Sequence, residues 1–507
     1  MKLKDVRVDT RLGVDEPETA RAERRGNEAP FIIAVLGDFG SRADGAIDLE
    51  ARRWRTVDVD NLDAVLNKLD VRWTAPASME RQDSSPTELK ISSLDDFHPQ
   101  AIASRLESAR HLLALRADVD DPARLKHTIN ALGLTMPAPS RSSPSAPDAP
   151  PTSVLTPAQL LEQIIAGAES TPAPTVVESD LASFVREIVE PYVFKVDKAA
   201  EARVRDAIDT RLSAAIDAVL HDLAFQRLES AWRGLHWFLR RTLGEQSPAL
   251  RILHLPKAQL LLDVVRAESP EESTLGRTLI DSASSAEAER PSLVLGLYDF
   301  GCGDHDVVLL HALSTIGAAA GVPFIAAANA SFLGCRSFAD LPSADALRRR
   351  WAEPALDQWR AVRALPSAGW LALAAPRWLC RVPFNEDVNG LSFREGVDAH
   401  RDALLWAHPA WLVAAALVEE RSIGDFSREV QIIDGLPLHT HKEDGEIVAT
   451  PCAETWMTDA QVQALADGGI LPLVSYRGRD AIALPRLQSV AEPATPLAPA
   501  NRAASSH

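Results

Sequence analysis

At 507 residues the chain is too long for one ordinary hydrophobic core and suggests two or three domains. Its 46% hydrophobic and 24% charged residues are ordinary for a soluble globular protein. With 71 acidic against 53 basic side chains the formal charge is −18, which repels a phosphate backbone and argues against nucleic acid as a general partner.

The cysteines, Cys302, Cys335, Cys380 and Cys452, are scattered with no C-x-x-C pair, which fits a reducing compartment rather than a disulfide framework or zinc site. The N-terminal MKLKDVRVDTRLGVDEP lacks the apolar core of a signal peptide. The most apolar window, residues 403–418, contains His408 and Pro409. It falls short of the roughly 20 residues that span a bilayer, so a buried helix is expected there. A cytoplasmic protein with no membrane insertion is the expectation.

In chain order, FIIAVL at residues 31–36 is a continuous apolar run, as expected for a strand covered on both faces. Gly37-Asp38-Phe39-Gly40 then turns the chain. Residues 57–60 are read as a second strand, and residues 61–68 begin a helix with Leu62, Val65, Leu66 and Leu69 inward. Another helix starts near Pro99, with Ile102, Leu106 and Leu113 on one face. The strand ending in GDF, the segment DVDNLDAVL and the heptapeptide SLDDFHP, in this order over residues 25–130, resemble the small subunit (TssB, VipA or ImpB) of the type VI secretion contractile sheath.

The stretch PAPSRSSPSAPDAPPTS, residues 137–153, reads as a semi-rigid tether, because proline fixes extended backbone and serine adds no core. TPAQLLEQIIAGAES comes next, at 156–170. Thr156 is placed to cap a helix, with Pro157 in its first turn, Gln159 as capping-box partner and Gly167 at its end. Leu160, Leu161, Ile164 and Ile165 form an apolar stripe, and so short a helix needs a groove to stay folded. A polar stretch at 169–175 separates it from the remainder of the chain.

Two long amphipathic helices lie beyond that stretch. Val204, Ile208, Leu212, Ile216 and Val219 line the first. Phe225, Leu228, Trp232, Leu235 and Leu239 keep a 3-4-3-4 spacing that places them on one face of the second. Burying these five anchors is worth roughly 1.5–3 kcal/mol each before entropy costs. Apolar strands at 250–255, 292–298, 323–328 and 370–374 then alternate with helices at 257–266, 307–319 and 344–363, the pattern of a mostly parallel sheet flanked by helices.

The helix FQRLESAWRGLHWF is similar to the signature helix of the sheath large subunit (TssC, VipB, ImpC or ImpD), at Phe225, Leu228, Trp232, Arg233, Gly234, Leu235 and His236. The resemblance continues through LGLYDFG, VPFIAAAN, SFLGCRSFADL, WLALAAPRWLCRVPF and the segment from LPLHTHKED to RGRDAI, over about residues 155–490. It implies an α/β chain with mostly parallel or mixed sheets. The division expected is a small-subunit-like domain at 1–135, a Pro/Ser-rich linker at 136–175 with a short helix at 156–168, a large-subunit-like domain at 176–490 and a disordered tail at 491–507.

The resemblance further implies a subunit that polymerises with its own kind, or with full-length TssB- and TssC-like subunits, around a tube of Hcp protein on a baseplate. Leu160, Leu161, Gln163, Ile164 and Ile165 match an LLDQIV-type segment that the ClpV unfoldase recognises in that family. Large subunits of the family continue beyond the point matched near Ala481, so a truncated large subunit is expected, with an accessory or adaptor paralogue as the alternative.

Catalytic motifs are weak. Asp38-Phe39-Gly40 and Asp299-Phe300-Gly301 lack a glycine-rich phosphate loop, a V-A-I-K lysine or an H-R-D loop around them, so a kinase is not expected. Asp304-His305-Asp306 and His439-Thr440-His441 hold ligand-type side chains but fix no third ligand, so no metal or cofactor is expected. Asp304 is expected to cap the helix beginning near Val307, and Arg348-Arg349-Arg350 to solvate one. The chain is read as a non-enzymatic structural protein.

Overall fold

The computed structural model describes residues 31–45, 47–76, 79, 87–133, 198–244, 247–284, 290–397, 403–423, 430–443 and 445–497. The tether, the 156–168 helix and the 169–175 stretch lie outside the described residues. By contacts the chain forms two compact units, Met1–Leu106 with Ile216–His507, and Glu107–Ala215.

The first unit is built on a seven-stranded sheet. Its strands are β1 (Ile32–Gly37), β2 (Arg55–Val57), β3 (Ala249–His254), β4 (Leu293–Phe300), β5 (Phe324–Ala328), β6 (Leu371–Ala375) and β7 (Ile470–Pro472), in the order β7-β6-β5-β4-β1-β3-β2. All neighbours run parallel except β2, which lies antiparallel on β3. β1 is interior to this sheet. It pairs with β3 from Ile32 opposite Ala249 to Gly37 opposite His254, and with β4 from Ile33 opposite Leu293 to Leu36 opposite Gly296. A strand from before the tether is therefore sandwiched between strands from after it. The continuous apolar run suits this place, because both faces of an interior parallel strand are covered.

Helices α1 (Leu62–Leu69), α2 (Pro99–Arg105), α3 (Glu107–Asp118) and α4 (Pro122–Ala131) precede the tether. After it come α5 (Lys198–Leu220), α6 (Leu223–Arg241), α7 (Lys257–Arg266), α8 (Thr274–Ser284) and α9 (Asp304–Ala320). The last are α10 (Ala344–Trp351), α11 (Asp357–Arg363), α12 (Ala410–Ile423) and α13 (Asp459–Asp467). Helices α7 to α11 and α13 join one face of the sheet, where Ala34 and Leu36 of β1 belong to the same hydrophobic core as Leu260, Leu279, Leu313 and Trp359. Ile33 and Val35 are equally buried and alternate to the opposite face. There α12 packs on β4 and β5, and α6 packs on α12. This is a helix-sheet-helix sandwich.

Some elements differ from the sequence reading. The helix expected from Pro99 with Ile102, Leu106 and Leu113 on one face is two helices, α2 and α3, because Leu106 turns extended between them, and Leu115 rather than Leu113 is buried. The strand expected at 57–60 stops at Val57 because Asp58 accepts the N–H groups of Asp60 and Asn61, closing a turn. The helix expected at 344–363 is two helices, α10 and α11, separated by a short 3-10 turn that begins at Pro354. Asp304 does not cap α9; Gly303 holds that position, and Asp306 instead accepts the N–H of Gly301 at 2.6 Å.

Beyond β7, residues 488–497 fold back through Ser489 N–H to Thr495 O and Leu497 N–H to Leu487 O, and Leu497 is buried. In the second unit, α3, α4 and the part of α5 up to Ala215 share a small core of Leu115, Val119, Leu132, Val204 and Ile208. Arg116 pairs with Asp209 at 2.6 Å, and Arg205 pairs with Asp120.

Candidate functional site

The signature helix α6 packs on residues from both sides of the tether, and one face of the helix is seated on residues that precede it. Asp222 caps it, accepting from Ala224 and Phe225 N–H, and also accepts the indole N–H of Trp73 at 2.7 Å. Phe225 meets Trp73 and Phe97 edge-on, at ring distances of 5.6 and 5.5 Å. Leu228 fills the space left by Gly40, whose φ of +65° favours glycine and where a Cβ would come within 2.6 Å of the leucine. Trp232 is fully buried, edge-on to Phe39 at 5.4 Å, and its indole donates to the Phe39 carbonyl at 3.2 Å. One helical face thus meets three places in the chain before the tether: Phe39 with Gly40, Trp73 and Phe97.

Gly234 permits the other close approach. A Cβ there would lie 2.5 Å from the indole nitrogen of Trp411 on α12. Leu235 and Leu239 are buried, while His236 is half-buried. Burial lowers the His236 pKa, and Arg240 and Arg233 lower it further.

Around Arg233 lies an ionic cluster that sequence reasoning missed. Glu229 is fully buried and accepts from Arg233 at 2.6 Å and from Arg381 at 2.8 Å. Arg381 also pairs with Glu395 at 2.7 Å, and its guanidinium lies 3.9 Å over the Phe384 ring. Glu395 accepts the Phe384 N–H and stands 3.6 Å from His221. Burial opposes the charge of Arg381, but Glu229 and Glu395 outweigh it and raise its pKa. Burial likewise works to raise the Glu395 pKa, yet His221, Arg381 and the Phe384 N–H bring it down. Beside them burial pushes the Cys380 thiol up to about 12, so it stays protonated. No motif marks this cluster; an apolar-stripe analysis passes over Glu229 because it is charged.

At the end of β1, His254 Nδ1 accepts the Phe39 N–H at 3.1 Å, and Arg52 donates to the His254 carbonyl. Burial lowers the His254 pKa although Asp38, 3.6 Å away, pulls the other way. His408, which links Tyr298 O to the start of α12, is lowered by burial too. A histidine with a lowered folded pKa refuses a proton that the unfolded chain accepts below about pH 6.5, so stability falls on acidification through that range. His254→Asn keeps an acceptor for Phe39 and removes the titration. Its melting temperature is expected to drop less than that of wild type between pH 7 and 5; equal or steeper loss in the variant would refute the assignment.

The candidate ligand side chains are dispersed. Among the described residues no three metal-binding side chains converge. His439 and His441 stack at 6.0 Å, and His441 shares a hydrogen bond with Thr450. Asp306 is held by Lys257 at 2.6 Å. Phe39 and Phe300 of the two Asp-Phe-Gly triplets are both fully buried at strand ends. Arg348 and Arg349 are exposed, whereas Arg350 reaches in to the Cys302 sulfur at 3.4 Å. Among the described residues no helix is long and apolar enough to cross a membrane. Leu160, Leu161, Gln163, Ile164 and Ile165 lie outside the described residues.

Residues 202–491, which include α6 and all sheet strands but β1 and β2, match the VipB family (EvpB/VC_A0108, tail sheath N-terminal domain). The chain belongs to the VipB tail sheath family. Residues 6–130 match a second family, described as type VI secretion system, VipA, VC_A0107 or Hcp2. Among relatives, the type VI secretion system sheath protein TssC1 of Pseudomonas aeruginosa PAO1 is 28% identical over 302 residues, covering 57% of this chain and 61% of TssC1. Sheath protein TssB1 of the same strain is 28% identical over 95 residues, 18% of this chain and 55% of TssB1. The chain thus spans roughly three-fifths or less of each relative's length.

In this VipB-family chain a VipA-like and a VipB-like part therefore meet along both sides of β1 and at one face of α6. Trp232→Ala removes a fully buried indole and its bond to Phe39, and is expected to cost about 3–5 kcal/mol. Trp232→Phe keeps most of the packing and should cost less than half of that. Urea denaturation of both variants checks the order; a Phe variant as damaged as the Ala variant would contradict it.

Proposed function

We propose that the chain is a non-enzymatic structural component of the type VI secretion contractile sheath, a fused small-plus-large subunit that assembles around an Hcp tube in the bacterial cytoplasm. One observation supports this most. Sheath-family matches on both sides of the tether fall on strands of a single sheet, so strands of the two parts close one core and supply a joint building block. A contractile lattice needs such blocks, joined by interfaces that repeat helically instead of closing into a ring.

Within this reading the 156–168 segment is the contact for the ClpV unfoldase, with Leu160, Leu161, Gln163, Ile164 and Ile165 entering a groove of that partner. Other sheath subunits and the baseplate are the remaining partners. Electron microscopy of the purified chain, alone and with Hcp, tests the reading. Long hollow filaments are expected. Discrete particles that bind ClpV yet never form filaments, even with full-length sheath subunits, would replace it with an adaptor.

A further inference from the structure

We infer that every copy of this chain pairs its small part with its own large part, and that the slot between β3 and β4 is thereby closed to any separately made small subunit. The VipA-like and VipB-like parts match relatives that are two separate proteins, TssB1 and TssC1. Here they are covalently one. Covalent linkage gives the internal strand an effective concentration of millimolar order, so a free competitor at micromolar concentration starts at about a thousandfold disadvantage.

Geometry makes the occupancy long-lived as well as favourable. β1 is held by a parallel ladder on each side, so it cannot peel away from an edge. Phe39 and Trp73 are bonded to α6 in addition, through Trp232 and Asp222. Release means opening the sheet at its core, an event on the scale of global unfolding. From the covalent join two consequences follow for this chain. Its small and large parts stand at a fixed one-to-one ratio in any assembly, and an excess of free small subunit neither feeds nor poisons it. Neither consequence requires the chain to polymerise.

Complementation between full-length chains tests this. Val35→Asp places a charge in β1 and spoils the small part; Trp232→Asp spoils the slot and leaves the small part intact. Each variant alone is expected to be insoluble. Co-expressed with different tags, the two should rescue each other, raising soluble yield several-fold and co-purifying as a pair, because each supplies what the other lacks. Wild-type chain co-expressed with either variant should rescue neither, its own strand and slot being engaged with each other. Rescue of either variant by wild type would overturn the inference, as it would mean exchange between copies. Failure of the two variants to rescue each other would overturn it too, since the slot would then not be the site that takes the strand. Solubility and co-purification are read without any filament, so a chain that forms no sheath still passes or fails this test on its own terms.

Discussion

Val35→Asp is expected to unfold the large-subunit-like residues, although Val35 lies well before the tether. Val35 is completely buried in β1, opposite Ile252 on one side and Leu295 on the other. A carboxylate there has no partner and no water, and an unpaired buried charge costs several kcal/mol even after its pKa adjusts. That is comparable with the whole stability of a domain. Because β1 is interior, the damage reaches both halves of the sheet: β2 and β3 lose their connection to β4 through β7. Circular dichroism and limited proteolysis check this. Proteolytic resistance of the core from α6 onward in the variant would show that the sheet stands without β1.

Glu229→Ala is expected to cost about 3–5 kcal/mol, as much as truncating a large apolar core residue on the same helix. The Glu229 carboxylate links two guanidiniums, those of Arg233 and Arg381, and both arginines are largely buried. Removing it strands positive charge where water cannot compensate. Glu229→Gln retains an oxygen acceptor and should lose less, ordering the two variants by charge and not by size. Urea midpoints at constant slope measure both. If Glu229→Ala stays within about 1 kcal/mol of wild type, the cluster is a solvated surface network of the kind that contributes little.

The contrast between these positions shows what could be read in advance. The apolar run at 31–36 announces a strand covered on both faces, and the Phe225 to Leu239 spacing announces a helix docked by one face. Both exist. The break inside 344–363 was also written in the chain, at Pro354, and needed only the rule that proline interrupts a helix. Asp306 and Glu229 were not legible, because a carboxylate that binds one backbone N–H or two arginines has the same letter as one facing water. In the same way Gly234 carries no sign of the indole of Trp411 that needs its missing Cβ.

By itself, then, the sequence determined the local periods, the breaks and the two family-like halves, since propensity and hydrophobic spacing act between residues a few positions apart. Only the tertiary structure decided that β1 sits between β3 and β4 and that Trp232 bonds to Phe39, 193 positions away. The physical reason is that the partners in a parallel ladder are backbone groups, alike at every residue, so pairing is chosen by how the whole apolar surface closes.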